Sequence, residues 1–564
     1  MLVTAEQTTT VHQSPAKSSE APLRGFIHLK VRPSGWQWLT LVIALLVLVP
    51  LLVLALAWSE PAWDIWKHFR ETLLNRLILN TLILVTGVST GTLLLGITLA
   101  WLTGACNFPG RKIFSWTLLL PLAMPTYVLA FVFLGIFDYS GPVQTQLRGW
   151  FGRDAWIPDV RSAGGVILVM SLALYPYVYL LTRNAFRTQG KRALEAAQSL
   201  GCSPAGGFFR VVLPMARPWI AGGTTLVMME ALADFGAVSI FNFDTFTTAI
   251  YKAWFGFFSL PAAAQLSSLL VAMVFILVAL EQRLRRRMRF AQSRITPQSE
   301  RIQLAGARRW LATGYCLVVL GLAFLLPAAQ LLAWSLEIFH EEFDSRYLGL
   351  FSHSLILGFL SAILIAMTAL LLAYAGRRHQ DRLTHGLIRT ATLGYALPGT
   401  VLAVGIFIPL AWLDNHLISL SRTLFNVEIN QLLQGTILIM ITAYMIRFMA
   451  AGFKSIDSAM HRVTNNIDEA SRLMGLRGIK LLYKVHLPML RGGIFTALTL
   501  AFVDVMKEMP ITLMTRPFGW DTLAVKIFEL TSEGEWERAA LPALTLLLSG
   551  LLPIVLLMRE TDRD

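Results

Sequence analysis

Long apolar segments separated by short polar ones dominate this chain of 564 residues. A helix needs roughly 20 apolar residues to cross a hydrocarbon core of about 30 Å. Apolar segments of that length form two groups of six: near 38–58, 78–104, 114–137, 163–182, 219–240 and 262–280, and near 310–335, 353–376, 388–413, 433–453, 492–514 and 540–558. The pattern predicts twelve spanning helices and an all-α polytopic membrane protein. Composition agrees, because 55% of the residues are hydrophobic and only 15% are charged.

The second group of six spans repeats the first. The letters TLIL at 81–84 align with SLIL at 354–357, and VLA at 128–130 aligns with 401–403, both at the same offset (354 − 81 = 401 − 128 = 273). Because six is an even number, both groups enter the membrane in the same direction. We therefore predict two tandem six-helix halves in parallel orientation, related by a pseudo-two-fold axis along the membrane normal.

A polar loop is also duplicated. The pattern E-A-[AS]-x3-G-x9-V-x-L-P occurs at 195–214 and again at 469–488, so its offset is nearly that of the spans (469 − 195 = 274). Gly201 suits a helix C-terminus, and Ser203 followed by Pro204 suits the start of another helix. One copy could be an amphipathic helix lying on lipid. Two copies in strict register favour a docking site for a partner.

The distribution of charge predicts which side of the membrane these loops face. The linker at 281–309 contains nine arginines and lies on the same side as both loops, whereas the opposite side is more acidic, as at 337–344. Lys67, Arg70 and Arg76 depart from this bias. By the positive-inside rule both loops and both termini are expected to be cytoplasmic. Because the basic residues lie between spans, we interpret the linker as a topology signal and a flexible joint, and we expect no nucleic-acid partner.

Several ionisable residues fall within predicted spans, where they are costly and often functional. Asp234, with Glu230 near it, lies in the fifth span, and Asp504, Lys507 and Glu508 lie in the eleventh. Asp504 and Lys507 are three residues apart, so they could form a structural ion pair. The alternative is that Asp234, Asp504, Lys507 and Glu508 line a translocation path for a hard cation. We predict no tight metal site, because a conducted ion must leave again.

Other polar features of the spans have weaker interpretations. Tyrosines accompany prolines inside three spans, at Tyr127, Tyr177 and Tyr395. Broken helices there could open onto a cavity, but ordinary packing kinks are the favoured interpretation. Arg447 in the tenth span is expected to reach a partner within the bundle or to snorkel to the interface, and no functional role is assigned to it.

The duplicated loop resembles the EAA loop of the membrane-spanning subunits of ABC importers. The residues that carry the resemblance are Glu195, Ala196, Ala197, Gly201, Leu213 and Pro214, and Glu469, Ala470, Ser471, Gly475, Leu487 and Pro488. Ser471 replaces the third alanine. The resemblance implies the type I importer permease fold (MetI-like) and a coupling role for these residues against two copies of an ATPase subunit. The chain has no G-x-x-x-x-G-K-[ST] phosphate loop, so ATP and magnesium are expected on that partner and no cofactor or enzymatic activity on this chain.

Two further segments, at 232–255 and 502–530, resemble the fused permeases of ferric-iron importers. This resemblance implies an inner-membrane permease that receives Fe(III) from a periplasmic binding protein. Permeases for thiamine, a phosphonate or a polyamine are the alternatives within the class. An ion-coupled secondary transporter is the alternative outside it. No cluster of ligands or nucleophiles points to a membrane enzyme.

These predictions divide the chain into a cytoplasmic tail, two permease units with a preceding span each, a linker and a second tail. The divisions are 1–35 for the tail, 36–75 for the first span and its loop, 76–282 for unit 1, 283–309 for the linker, 310–351 for the seventh span and its loop, 352–558 for unit 2 and 559–564 for the second tail.

Overall fold

A computed structural model of the protein describes residues 34–59, 61–152, 159–286, 301–426 and 431–561. The predicted N-terminal tail up to residue 33 and the middle of the Arg-rich linker lie outside the described residues. In the described part almost all regular structure is helical, as the sequence predicts.

Within the residues that the structure describes, the first half contains thirteen α-helices. They are α1 (Gly35–Leu56), α2 (Trp63–His68), α3 (Leu74–Ala105), α4 (Arg111–Thr117), α5 (Thr126–Phe137), α6 (Pro142–Phe151), α7 (Ala163–Ala185), α8 (Lys191–Ser199), α9 (Pro204–Gly207), α10 (Leu213–Ala233), α11 (Gly236–Ile240), α12 (Phe246–Tyr251) and α13 (Leu260–Arg286). Short 3₁₀ or π-helical segments continue several of them, at Phe69–Leu73, Leu120–Ala123, Phe186–Gly190, Phe208–Val212 and Lys252–Gly256.

The described residues of the second half form thirteen more α-helices in a similar order. They are α14 (Ala307–Leu320), α15 (Leu326–Glu342), α16 (Ser345–Arg378), α17 (Arg382–Ala391), α18 (Gly399–Phe425), α19 (Ile437–Arg462), α20 (Asn465–Leu473), α21 (Ile479–Leu481), α22 (Leu487–Met489), α23 (Arg491–Lys507), α24 (Pro510–Thr515), α25 (Leu523–Ser532) and α26 (Trp536–Thr561). The 3₁₀ and π-helical segments here are Gly321–Leu325, Leu393–Ala396 and Leu482–His486.

A helix lies at each of the twelve predicted spans, but not all of them meet the requirements for crossing a membrane. In the described residues, nine helical stretches are long and apolar enough, or ten if the bent pair Ile479–Met489 and Arg491–Lys507 forms one span. Helices α10 and α26 are not among them. Helix α10 contains Arg217, Glu230, two glycines and two threonines, which lower its hydropathy and suit a place inside the bundle rather than against lipid.

The first helix of each half packs against the other half. Helix α1 lies on α17 and α18, where Trp36 meets Tyr374 edge to face at 4.9 Å and Ser34 Oγ lies 2.8 Å from His379 Nε2. Helix α14 of the second half in turn contacts α3 of the first half, because the hydroxyls of Tyr315 and Thr98 are 2.7 Å apart. The first helix of each half therefore contributes to the contact between the halves.

A short parallel strand pair connects the end of the linker to the first half. Strand β1 (Cys106–Asn107) follows α3 and pairs with strand β2 (Ile302–Gln303). The side-chain amide of Asn107 also donates to Gln303 at 2.9 Å. The sequence predicts a flexible joint over the whole linker. That prediction is wrong for its last residues, because backbone pairing binds them to the first half.

The repeated VLA letters lie in the centre of the protein. Val128 and Ala130 of α5, and Val401 and Ala403 of α18, are all completely buried. These four positions are equivalent in the two halves and form part of one continuous apolar core. The repeat therefore preserves buried core positions in both halves.

Candidate functional site

The first EAA loop, residues 191–214, begins with helix α8 and a glycine turn. The helix ends at Ser199 with Leu200 as its C-cap, and Gly201 has a φ of +87°, which a residue without Cβ adopts readily. The Gly201 N–H donates to the Gln198 carbonyl at 2.9 Å, and the Cys202 N–H to the Ala197 carbonyl at 3.0 Å. These bonds form the Schellman pattern of a helix C-terminus. The helix end predicted at Gly201 is confirmed.

A second helical segment of this loop starts where the sequence predicts. The Ser203 Oγ accepts a hydrogen bond from the Gly206 N–H at 3.1 Å and so caps the short helix α9. A π-helical segment, Phe208–Val212, then leads into α10 at Leu213 and Pro214. The loop is therefore a compact helical projection that continues directly into a helix of the bundle.

The second EAA loop, residues 465–488, has the same turn. Helix α20 ends before Gly475, whose φ is +81°. The Leu476 N–H donates to the Ser471 carbonyl at 3.0 Å. The Ser471 hydroxyl donates to the Ile467 carbonyl at 2.7 Å, so its hydrogen bond is satisfied within the helix. This explains how serine replaces the third alanine of the pattern without changing the loop.

After this turn the two loops differ. The segment that contains Leu487 and Pro488 meets α23 at an angle of 80°, whereas the first loop has no such bend before α10.

The tips of both loops expose large apolar side chains. Leu200 and Met474 are equivalent, since 474 − 200 = 274, and they are 86% and 81% exposed. Phe209 and Tyr483 are related by the same offset and are also exposed. A repeated exposed apolar tip is typical of a surface that a partner covers.

In each loop, some residues of the repeated motif are exposed and others are buried. Glu195, Ala196, Glu469 and Ala470 are exposed, whereas Ala197 and Ser471 are buried. Glu195 lies 3.5 Å from Lys191 within α8. Each loop thus presents a carboxylate, a small residue and an apolar tip on the same face of the protein.

A cavity of about 190 Å³ lies between the two halves. Six ionisable side chains line it: Glu230, Asp234, Arg447, Asp504, Lys507 and Glu508. The structure therefore brings together all four residues predicted for a translocation path, although Asp234 lies in the first half and the other three lie in the second. Their role in transport remains a prediction.

Asp234 and Glu508 occupy equivalent positions at breaks in two helices. Asp234 separates α10 from α11, and its carboxylate accepts the Val238 N–H at 3.2 Å and the Thr126 hydroxyl at 2.5 Å. Glu508 separates α23 from α24 and accepts the Ile511 N–H at 3.1 Å. Each carboxylate therefore caps the N-terminus of a short helix beside the cavity.

These breaks correct the predicted spans. The sequence predicts continuous helices over 219–240 and 492–514, but each is broken at its carboxylate. The side-chain oxygen competes with the helical backbone for N–H groups, which ends one helix and starts the next.

An arginine neutralises one carboxylate of the cavity and not its equivalent. The Nε atom of Arg447 lies 3.5 Å from Glu508 Oε2, and both side chains are largely buried. In the first half Thr126 binds Asp234, but Gly399 takes the equivalent position, since 399 − 126 = 273. A Cβ at Gly399 would lie 2.5 Å from Arg447 Nη1 and 2.6 Å from Glu508 Oε1. The glycine therefore leaves the space that the arginine needs.

The ion pair considered between Asp504 and Lys507 does not form. The Lys507 ammonium instead donates to the Leu122 carbonyl of the other half at 2.8 Å. Among the described residues, no basic atom lies within 4.0 Å of the Asp504 carboxylate. Glu230 accepts a hydrogen bond from the Tyr395 hydroxyl at 3.2 Å. Asp504 is thus the carboxylate of the cavity for which the described residues provide neither a hydrogen bond nor an ion pair.

The tyrosines beside prolines also reach the cavity. Tyr127, Tyr177 and Tyr395 all line it, and α5 begins directly after Pro125. The favoured interpretation as packing kinks is wrong for Pro125, because the interruption before α5 opens onto the cavity. It stays a prediction for Pro176, which lies inside the continuous helix α7. In the described part of the chain, no group of three or more His, Cys, Asp or Glu side chains could hold a metal ion.

Comparison with known proteins places this architecture in a family. Residues 93–290 and 362–559 each match the binding-protein-dependent transport system inner membrane component family. The chain belongs to this family. It is thus a permease of the ABC-importer type, a multi-pass protein of the inner membrane with two tandem units.

The individual relatives are named for different substrates. The permease is 27% identical over 534 residues to the Fe(3+)-transport system permease protein FbpB 2 of Haemophilus influenzae, covering 93% of this chain and 98% of the relative. It is 30% identical over 192 residues to the molybdenum transport system permease protein ModB of Escherichia coli, covering 33% and 82%. It is 31% identical over 217 residues to the sulfate transport system permease protein CysW of Escherichia coli, covering 37% and 72%.

The two EAA loops of the permease are attached to the bundle by different chemistry. In the first half Leu194 and Val212 are buried in apolar surroundings. The equivalent residues of the second half are Asp468 and His486 (468 − 194 = 486 − 212 = 274). His486 Nε2 lies 3.0 Å from Asp468, whose other oxygen lies 2.8 Å from Arg377 Nε.

Arg377 ties this second loop to the bundle, because it also donates to the carbonyls of Met460 and Thr464 at 3.0 and 3.2 Å. Charge-assisted bonds of this kind are directional. They hold the second loop in a defined orientation, whereas the first is held by packing.

The sequence interpretation missed Thr126, and it did not place Arg447 at the cavity. A signal for the breaks does exist: Asp234 and Glu508 each lie shortly before a residue that commonly interrupts or starts a helix, Gly236 and Pro510. Nothing in the sequence pattern pairs Arg447 with Glu508, because the two lie on different helices, α19 and the break after α23.

Proposed function

We propose that this permease carries ferric iron across the inner membrane after a periplasmic binding protein delivers it, and that two copies of an ATPase subunit supply the energy. The cavity between the halves is the proposed path. Both EAA loops are the proposed contact with the ATPases.

The cavity has more carboxyl groups than basic groups, and this excess is the main support for a cation as the substrate. Four carboxyl side chains and two basic ones line it. Hard cations prefer carboxylate oxygen. Helix N-termini, which could otherwise attract an anionic substrate, are already occupied at α11 and α24 by Asp234 and Glu508. The open carboxylate of Asp504 is then the group best placed to contact a passing cation.

The full length of the similarity to a ferric-iron permease supports the same choice. That relative is matched over 98% of its length, with both halves included. The relatives named for molybdenum and sulfate are matched along about a third of this chain.

Energy coupling is proposed at the loop tips. Each tip exposes a large apolar residue beside a carboxylate, Glu195 or Glu469. Two equivalent tips on one face suit a dimeric partner. ATP and magnesium would bind on that partner, since the phosphate-binding loop sequence does not occur in this chain. The positive-inside rule places these tips and both chain termini in the cytoplasm.

An oxyanion is the second candidate substrate. Arg447 and Lys507 both line the cavity, and Arg447 Nη1 is buried without a hydrogen-bond partner. These two groups, with the similarity to molybdenum and sulfate permeases, favour it. Against it, Arg447 is already paired with Glu508 and Lys507 with a carbonyl.

A reconstituted transporter tests the proposal. The permease, its ATPase and its binding protein are placed in proteoliposomes, and ATP-dependent uptake is measured with the binding protein loaded with Fe(III), molybdate or sulfate. We expect uptake of Fe(III) alone. Asp504→Asn should reduce it about ten-fold, equivalent to about 1.4 kcal/mol, because the variant removes the open carboxylate and keeps its shape.

Asp244→Asn is the matched control. Asp244 pairs with Lys252 at 2.6 Å away from the cavity, so uptake should stay near the wild-type rate. Uptake of an oxyanion and not of iron would establish the second candidate. Normal iron uptake by Asp504→Asn would exclude a role for this carboxylate in the path.

A further inference from the structure

Three arginines converge on the face of the first half that carries the EAA loops, and they come from three separate segments. Arg111 starts α4, Arg183 lies in the last turn of α7, and Arg301 ends the linker. In each of them the Nε atom is buried and has no hydrogen-bond partner. Among the described residues, no carboxylate lies within 4.0 Å of any of the three.

Specific contacts hold these arginines close together. An Arg111 Nη1 atom donates to the Thr103 carbonyl at 3.4 Å. The Thr103 hydroxyl donates to the Tyr179 hydroxyl at 3.1 Å, and the Arg183 guanidinium lies 5.9 Å from the centre of the Tyr179 ring. Thr103 and Tyr179 therefore hold Arg111 beside Arg183.

The linker brings the third arginine to the same place. Arg301 directly precedes strand β2, whose Ile302 pairs with Cys106, three residues beyond Thr103. Strand pairing thus positions Arg301 independently of the other two. Burial lowers the pKa of Arg111 below its ordinary value, and the neighbouring charges of Arg301, Arg183 and Arg187 lower it further. Placing like charges this close together is unfavourable unless a bound anion compensates them.

The fold itself does not require this arrangement, because the second half lacks it. Arg111 corresponds to Thr384 at the offset of the neighbouring spans (384 − 111 = 273), and Arg183 corresponds to Asp457 at the offset of the EAA loops (457 − 183 = 274). There Asp457 lies 3.5 Å from His461, so the second half supplies its own carboxylate. The accumulation of positive charge is specific to the first half.

We propose that Arg111, Arg183 and Arg301 form a binding site for a phosphate-bearing anion at the edge of the bundle. Guanidinium groups bind phosphate oxygens through paired N–H donors. Basic pockets at the ends of spanning helices suit phospholipid headgroups, and free phosphate has the same chemistry. The bound anion would join the linker to α7, which leads through Phe186–Gly190 into the first EAA loop. This site is independent of the transported substrate.

Thermal unfolding of the full-length permease in neutral detergent tests the site. Phosphatidylglycerol is titrated against phosphatidylcholine, and inorganic phosphate against chloride at equal ionic strength. We expect a saturable rise in Tm with phosphatidylglycerol, phosphate or both. A rise with the lipid alone identifies a headgroup, and a rise with phosphate identifies the free anion as a ligand.

Variants then assign the effect to the three arginines. Arg301→Gln and Arg183→Gln should weaken the apparent affinity at least ten-fold. Lys112→Gln should not, because Lys112 is exposed beside Arg111 and its replacement removes the same charge without touching the site. If Arg183→Gln fails to fold, Arg301→Gln decides, since Arg301 lies outside the helices. The proposal is overturned if neither anion stabilises the wild type, or if Arg301→Gln responds like Lys112→Gln.

Discussion

Replacing Arg447 by methionine should destabilise the permease by about 3 kcal/mol, the loss typical of removing one partner from a buried ion pair. Arg447 and Glu508 are 14% and 6% exposed and lie 3.5 Å apart. Methionine fills similar space but leaves the Glu508 carboxylate without its cation. Equilibrium unfolding in mixed detergent micelles measures the change.

The double variant Arg447→Met with Glu508→Gln separates charge from packing. Glutamine is neutral and keeps an oxygen that can accept the Ile511 N–H, so most of the lost stability should return. Arg462→Met is the control, because Arg462 is exposed at the end of the same helix and should change stability by less than about 0.5 kcal/mol. Equal losses for Arg447→Met and the double variant would show that the pair contributes no charge compensation.

Replacing Gly475 by valine should abolish the stimulation of ATP hydrolysis by the loaded binding protein, with at least a ten-fold loss. Gly475 has a φ of +81° and nothing within 4 Å of a Cβ, so the substitution causes no clash inside the chain. It strains the turn by about 1–2 kcal/mol and places a branched side chain on the proposed docking surface. ATP turnover of the reconstituted transporter measures the effect.

Gly534→Val is a matched control for this variant. Gly534 has a φ of +83° and open space around it, but it lies in the turn between α25 and α26 on the opposite face. The backbone strain is the same and the docking surface is untouched, so stimulation should persist. A similar loss in both variants would assign the effect to strain alone.

The periodic features of the sequence predicted most of this architecture. Twelve apolar segments and the two sets of repeated letters, in the spans and in the EAA loops, lead to the two halves, since burial in lipid requires apolar helices of a given length. The turn at Gly201 and the cap at Ser203 were predictable because both depend on local backbone conformation.

The pairing inside the cavity was not predictable in the same way. Asp504 and Lys507 are close along one helix, but Lys507 turns to the Leu122 carbonyl of the other half and Glu508 pairs with Arg447. Spacing along a helix shows which side chains could meet, whereas tertiary packing decides which do. The space at Gly399 that admits Arg447 depends on contacts between three distant segments.

Cysteine crosslinking at the loop tips tests the central claim, that both EAA loops dock an ATPase subunit. Leu200→Cys and Met474→Cys are introduced separately into a Cys202→Ser background, because Cys202 is only partly buried whereas Cys106 and Cys316 are buried. A thiol-reactive crosslinker is then applied to native membranes that contain the whole transporter. Phe518→Cys, fully exposed on the opposite face, is the control. We predict that both loop positions capture the ATPase subunit and that position 518 does not; capture at neither loop would contradict the account.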